Sequence, residues 1–165
     1  MRSTAAAIIV WIGLGAASFA QDVTATIVGP ITVIDTDVVM VGGERFFLFG
    51  IEAFEQEQTC FLNGQPWACG SIAYRELEII VAEGEATCVR RQDPDQRRAQ
   101  SPWATCTVNG LDIAEEMTRR GMALAIREQT EDYVTAEEAA EANEAGIWRG
   151  LFVPPWVYRR NLRGP

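Results

Sequence analysis

Four carboxylates lie around two strand-like runs between residues 31 and 55. Asp35 and Asp37 fall inside ITVIDTDVVMV, and Glu52 and Glu55 end the run ERFFLFGIEAFE. Carboxylate oxygens are the ligands that hard divalent cations such as Ca²⁺ prefer. The stretch therefore indicates a metal site, or what remains of one. Two alternatives stay open, an aspartate pair at a turn without a ligand and a solvated acidic loop.

Four cysteines offer a second chemistry, since Cys60, Cys69, Cys88 and Cys106 form an even set in a chain with an export-like start. Such a set predicts two disulfides. We pair Cys60 with Cys69, which bracket a short loop, and Cys88 with Cys106, which lie in two extended runs joined by a polar loop. The alternative is a zinc site made of all four cysteines, which the absence of CxxC spacing disfavours.

The composition excludes several kinds of site. The 165-residue chain has 14 Lys plus Arg, 23 Asp plus Glu and no His, and every basic residue is Arg. Histidine-based triads and mixed cysteine–histidine zinc sites are therefore excluded. The formal net charge of −9 repels a phosphate backbone, so we expect no tight binding to nucleic acid.

The N-terminal segment 1–20 has the pattern of a signal peptide. One positive charge at Arg2 precedes an apolar run, and Ser18 and Ala20 suit cleavage before Gln21. Cleavage would leave 13 basic and 23 acidic residues, a net charge of −10. We expect a periplasmic or secreted protein, and contact with a membrane only if the segment is kept as an anchor.

The elements that must position the carboxylates follow one another in a simple order. Three strands over residues 23–51 are followed by a polar loop over 52–66 and a helix that ends near Gly84. A second strand pair and two more helices complete the chain, the third helix running over 133–148 with a capping box at Thr135 and Glu138. This order predicts an α+β fold, a five-stranded OB-type Greek-key barrel with three helices. We expect one domain over 21–165, with an extended C-terminal tail.

Three stretches of this chain resemble the thermonuclease family, the staphylococcal-nuclease-like OB barrels, and their order and spacing match its exported bacterial members. They are VIDTDVVMVGGERFFLFGIEAFEQEQTC, NGLDIAEEMTRRGMALA and YVTAEEAAEANEAGIWRGLFVPPWVYRR. The resemblance implies a phosphodiesterase in which carboxylates hold Ca²⁺ and position a water, while two arginines hold the phosphate. It also covers most of the chain after residue 20.

Carried over by position, the resemblance implies that Asp37 and Glu52 are the metal carboxylates and that Glu55 positions the water. Glu52 stands where aspartate is usual, and Phe54 where proline is usual. Asp35 lies beside the first metal position. The implied calcium site therefore keeps its carboxylates but has an altered geometry.

Both phosphate arginines that the resemblance implies are replaced. The first position is Phe47 and the second is Ser101. Arg45 is a candidate substitute because it lies two residues before Phe47, on the same face of a regular strand. Arg97 and Arg98 precede Ser101 and are the other candidates. We expect the doublet at 159–160, like the other arginine doublets, to be solvated or in surface ion pairs.

These replacements favour an exported thermonuclease-like domain without efficient nuclease activity, acting as a binding or structural module with an unknown protein partner. The alternative is a calcium-dependent nuclease or other phosphodiesterase with a non-standard arginine arrangement. In the first case Glu55 is a vestigial catalytic residue, and in the second Arg45 assists it.

Overall fold

The computed structural model describes residues 25–82, 84–92 and 102–164. The ten strands in this part of the chain are β1 Thr26–Asp35, β2 Val38–Val41, β3 Glu44–Leu48, β4 Ile51–Ala53, β5 Cys60–Leu62, β6 Gln65–Trp67, β7 Glu85–Arg91, β8 Trp103–Val108, β9 Leu111–Asp112 and β10 Ala123–Ala125. The helices are α1 Cys69–Val81, α2 Ile113–Arg119, α3 Val134–Ala142, a 3-10 helix Gly146–Arg149 and α4 Pro155–Leu162.

Strands β1, β2, β3, β7 and β8 form a closed five-stranded barrel. They pair in the order β3-β2-β1-β7-β8, and a parallel pairing of β3 with β8 closes the ring. Gly42 and Gly43, with φ of 58° and 86°, make the tight turn between β2 and β3. The predicted α+β barrel of the OB type is confirmed.

The barrel interior follows from the alternation of side chains along each strand. Val39, Val41, Phe46 and Leu48 are fully buried in the core, where α1 and α2 cover the barrel. Asp112 caps the N-terminus of α2, since its carboxylate accepts hydrogen bonds from the N–H groups of residues 114 and 115. Arg45 and Phe47 of β3, and Phe49 directly after it, alternate with the buried positions and lie on the outer face of the barrel.

The 52–66 segment and the end of the chain differ from the sequence-based expectations. The segment expected to be a loop contains β4, whose partner is β10, and the hairpin of β5 and β6. The tail is not extended throughout, because Pro154 and Pro155 begin α4, with Pro155 at the first helical position where its missing N–H costs nothing. The described residues therefore contain four α-helices where three were expected.

The third helix is also shorter than expected. It ends at Ala142, and Gly146 at φ 53° begins the separate 3-10 helix. Tyr133 is the N-cap residue and makes no capping hydrogen bond through its side chain, so the capping box expected at Thr135 and Glu138 is wrong.

Both disulfide pairings are confirmed: Cys60 bonds to Cys69 and Cys88 bonds to Cys106. The first links β5 to the start of α1, and the second joins directly opposed residues of β7 and β8. Two disulfides indicate an oxidising, extracellular-type environment. None of the helices in the described ranges has the length and apolar character needed to span a bilayer.

Some expectations concern residues outside the described ranges. The signal peptide at 1–20 lies there, and so do Arg97, Arg98 and Ser101.

Candidate functional site

The acidic residues predicted from sequence lie around the start of β2, β4 and the loop after β4. Asp35 ends β1, and its Oδ1 accepts a hydrogen bond from the Thr36 N–H at 2.8 Å, which shapes the turn that leads to Asp37. The Asp37 carbonyl accepts a hydrogen bond from the Leu48 N–H at 2.9 Å, which fixes that turn against β3. Glu52 is the middle residue of β4, and Glu55 follows that strand by two residues.

A cation that the sequence analysis did not predict connects these carboxylates. Arg159 of α4 donates from Nη1 to Oε1 of Glu55 at 2.6 Å and from Nη2 to Oε1 of Glu52. The three side chains are partly enclosed, with exposed fractions of 33% for Arg159, 16% for Glu52 and 29% for Glu55. One guanidinium therefore bridges two carboxylates with one charge-assisted hydrogen bond to each, and such bonds are stronger than those between neutral groups.

The ionisation of the site reflects its partial burial. Desolvation, followed by the charge of Asp35, raises the pKa of Glu55. Desolvation also lowers the pKa of Arg159, while the charge of Asp37 opposes that shift. Asp37 thus acts electrostatically on Arg159 and forms one cluster with Glu52, Glu55 and that guanidinium, while Asp35 acts on Glu55 from beside the cluster.

Gln58 holds the loop that carries Glu55. Its side chain is buried, its Oε1 accepts from the Glu55 N–H at 3.3 Å, and its Nε2 donates to the Val153 carbonyl at 2.6 Å. The Glu55 carbonyl in turn accepts from the Gln58 N–H at 2.7 Å. One buried amide therefore connects the loop to the segment that leads into α4.

Gly70 permits this loop to lie against the start of α1. A Cβ atom at Gly70 would lie 1.7 Å from the Glu55 carbonyl oxygen, which is far inside contact distance. The Gly70 N–H also donates to the Gln58 carbonyl at 3.1 Å. The position of Glu55 thus depends on the absence of a side chain at residue 70.

An aromatic pair lies on the outer face of the barrel where β3 meets β8. Phe47 and Trp103 are opposed in the parallel ladder, and their ring centroids are 5.3 Å apart. Arg45, on the same face, has its guanidinium carbon 6.0 Å from the centroid of the Phe47 ring, within cation–π range. Among the described residues Arg45 forms no ion pair with Glu52 or Glu55.

The arrangement does not suit Ca²⁺ while α4 is in place. Calcium takes six to eight oxygen ligands at about 2.3–2.6 Å, whereas Glu52 and Glu55 here direct oxygens at the N–H donors of Arg159. Within the described ranges, no group of three or more Asp, Glu, Cys or His residues is placed to hold a metal ion. The assignment of Asp37 and Glu52 as metal ligands therefore remains a prediction from resemblance.

A shallow groove opens beside Glu52. Its volume is about 430 Å³, and its walls are Glu52, the segment 125–128 and Trp156. Trp156 is 46% exposed, so an aromatic face is accessible to a ligand there. Arg127, which also lines the groove, is paired with Glu137 at 2.7 Å.

Sequence reasoning identified the carboxylates and missed their partner. Arg159 is separated from Glu55 by 104 residues and from Glu52 by 107. The 159–160 doublet was expected to be solvated or in ion pairs, and Arg159 is in ion pairs, but the sequence did not indicate that Glu52 and Glu55 are its partners. The Pro-Pro pair before α4 was the available local signal for a helix there, but it does not indicate which surface the helix contacts.

The chain is similar to a curated protein. It is 29% identical over 128 residues to the succinoglycan biosynthesis protein ExoI of Rhizobium meliloti (strain 1021). The similarity covers 74% of this chain and 65% of that protein, so the chain spans less than two thirds of its relative. No family model matches the chain.

Proposed function

We propose that this chain is an exported domain of the thermonuclease-like family that lacks efficient nuclease activity and acts as a binding or structural module. The periplasm or the extracellular space is the proposed location. The barrel fold, the motif order that resembles the family and the two disulfides support this proposal.

The observation that carries the proposal is the aromatic pair of Phe47 and Trp103. Residue 47 is where the resemblance implies an arginine that holds the phosphate. An apolar ring in contact with an indole at 5.3 Å occupies that position instead. A ring offers the phosphate oxygens no hydrogen-bond donor, and it removes the positive charge that the developing negative charge needs.

The expected loss of rate is large. Removing one preorganised donor to a developing oxyanion typically lowers the rate about 100- to 1000-fold. With the second implied arginine replaced by Ser101, the loss reaches on the order of 10⁴, although such effects do not add simply. Arg45 does not restore the donor, since its guanidinium lies over the Phe47 ring.

We place the binding surface of the module at the groove beside Glu52. The exposed indole of Trp156 supplies contact area there, and Glu128 supplies negative charge, while Glu52 is paired with Arg159. The net charge of −9 disfavours a polyanion as its ligand. The role named for the relative from Rhizobium meliloti, succinoglycan biosynthesis, makes a partner in that process a candidate for this chain.

The proposal is tested by a nuclease assay on the purified protein. With single-stranded DNA and with RNA in the presence of Ca²⁺, we expect no cleavage above a buffer control. Glu55→Gln is the matched variant, and it should behave as the wild type does. Cleavage by the wild type that Glu55→Gln abolishes would overturn the proposal.

One observation favours a second candidate function, a calcium-dependent phosphodiesterase with a non-standard arginine. Arg159 brings a guanidinium to 2.6 Å from Glu55, so the cluster contains an arginine even without residues 47 and 101. This candidate requires cleavage activity that Arg159→Ala or Arg45→Ala lowers at least tenfold. The absence of cleavage in the same assay excludes it.

A further inference from the structure

Three acidic side chains lie around a cation that belongs to the chain itself. The two terminal nitrogens of Arg159 each bind one carboxylate, that of Glu55 or that of Glu52. Asp37 lies close enough to favour the charged form of the same guanidinium. One positive charge of the chain itself therefore offsets part of the negative charge of the cluster without any ion from solution.

Contacts outside the cluster hold Arg159 in position. The chain leading to α4 pairs with β5, because the N–H and carbonyl groups of Phe61 and Leu151 form two reciprocal hydrogen bonds of 2.8 Å. Gln58 binds the Val153 carbonyl, and the Tyr158 hydroxyl lies 3.5 Å from the Glu57 carbonyl. These contacts run along residues 57–61, the segment that follows Glu55.

Because the guanidinium of Arg159 is already in position, a divalent cation must compete with it for the carboxylates. The anchored segment has already lost its conformational freedom, so little further entropy is lost when the guanidinium binds them. A divalent cation must first displace two charge-assisted hydrogen bonds and then find six or more oxygens. The built-in cation therefore has the advantage at ordinary calcium concentrations.

We infer that Arg159 is a built-in replacement for a divalent metal, and that α4 keeps the cluster of Asp37, Glu52 and Glu55 closed to Ca²⁺. The inference deepens the proposed non-catalytic role at the same site and rests on it. It concerns cation binding alone, so it can fail in a calcium titration while the proposed function stands, whereas a failure of the proposed function would appear in the nuclease assay.

The test compares Arg159→Gln with Arg160→Gln in the full chain. Arg160 is the adjacent, exposed residue of α4 and so is a matched control. Calorimetric titration with CaCl₂ should detect no binding to the wild type or to Arg160→Gln up to about 10 mM, roughly ten times the Kd of weak extracellular calcium sites. Arg159→Gln should bind Ca²⁺ at least about tenfold more tightly, and adding Glu52→Gln should abolish that gain.

Two results overturn the inference: wild-type binding as tight as that of Arg159→Gln, or a folded Arg159→Gln protein that binds no Ca²⁺. A second measurement on the wild type decides the matter if the variant does not fold. Hydrogen exchange of residues 155–162 should be the same with and without about 10 mM Ca²⁺. Faster exchange in Ca²⁺ would mean that the metal displaces α4, which overturns the inference.

Discussion

At the scale of single residues, Tyr133 combines burial with a nearby negative charge. Its ring is 4% exposed and packs over Gly50, and its hydroxyl donates to Oδ2 of Asp112 at 3.2 Å. Desolvation and the charge of Asp112 raise the pKa of Tyr133 well above the usual tyrosine value. The native state therefore keeps a proton that the unfolded chain releases near pH 10.

This difference predicts a loss of stability in alkali. The contribution of the protonated Tyr133 to the free energy of unfolding is complete below about pH 10. It falls as the pH rises toward the native-state pKa, by up to about 1.4 kcal/mol per pH unit. Tyr133→Phe should be less stable than the wild type near pH 8, because the bond to Asp112 is lost, and should show a weaker decline above pH 10. Urea denaturation between pH 8 and 11 measures both effects. Tyr74→Phe, which keeps Tyr133, should show the wild-type decline, and an unchanged slope in Tyr133→Phe would contradict the prediction.

The residue scale also shows where sequence reasoning reached its limit at the site. The carboxylates lie within 21 positions of one another, from Asp35 to Glu55. The strand and turn patterns around them depend only on nearby residues, so the strands and turns that carry the carboxylates could be predicted from the sequence. Arg159 meets them through a contact across 104 and 107 residues, and no local pattern encodes such a contact.

At the scale of elements, Gln58 is one of the contacts that hold the C-terminal segment to the loop after β4. This side chain is 1% exposed and binds both Glu55 and Val153. Its loss would leave the partly buried Glu55 N–H and Val153 carbonyl without their partner, and each such group costs at most about 1–3 kcal/mol. The glutamine therefore connects the site to α4.

Gln58→Ala should lower the free energy of unfolding by about 2–4 kcal/mol, since two hydrogen bonds and buried volume are lost together. Gln56→Ala is the matched control, because Gln56 is exposed and binds through its backbone carbonyl. Urea denaturation gives the difference, and hydrogen exchange should rise at residues 151–159 in Gln58→Ala alone. Equal stability of the two variants would show that Gln58 does not hold the segment.

Helix α4 illustrates why some elements could not be predicted. It has eight residues, and isolated helices shorter than about 12–15 residues are marginal in water. Its stability must therefore come from contacts with the rest of the protein, including those of Arg159 and Tyr158. By contrast, α1 has 13 residues with an apolar face and was predicted from its periodicity.

At the scale of the whole molecule, two disulfides constrain the parts that carry the site. Cys88 and Cys106 join neighbouring barrel strands across 18 residues, and Cys60 and Cys69 join β5 to α1 across 9. The chain-entropy relation gives about 3 kcal/mol for the longer loop and about 2.5 kcal/mol for the shorter one. Together they are comparable to the total stability of a small domain.

Reduction should therefore leave the protein only marginally stable. We expect Cys88→Ala/Cys106→Ala to lower the midpoint of thermal unfolding somewhat more than Cys60→Ala/Cys69→Ala does. Thermal denaturation followed by circular dichroism, with and without dithiothreitol, measures these shifts. A wild-type midpoint that the reductant leaves unchanged, with free thiols confirmed by labelling, would contradict the prediction.

The overall architecture was the most predictable property of the chain. Alternating apolar residues, the Gly42-Gly43 turn and the cysteine pairs all carry local information that specifies strands and their connections. The β5–β6 hairpin was missed because its strands have only three residues each, and Pro66 is unfavourable within a strand.

The contact between Gly70 and the Glu55 carbonyl has a consequence for tracing the ancestry of this site. Any related protein that keeps the loop after β4 in this shape needs glycine at position 70, whether or not it retains the side chain of Glu55. Arginine at position 159 instead marks the origin of the ion pairs with Glu52 and Glu55. When many related genes are aligned, the two positions should therefore diverge independently: the glycine should date the loop, and the arginine should date the ion pairs to Glu52 and Glu55.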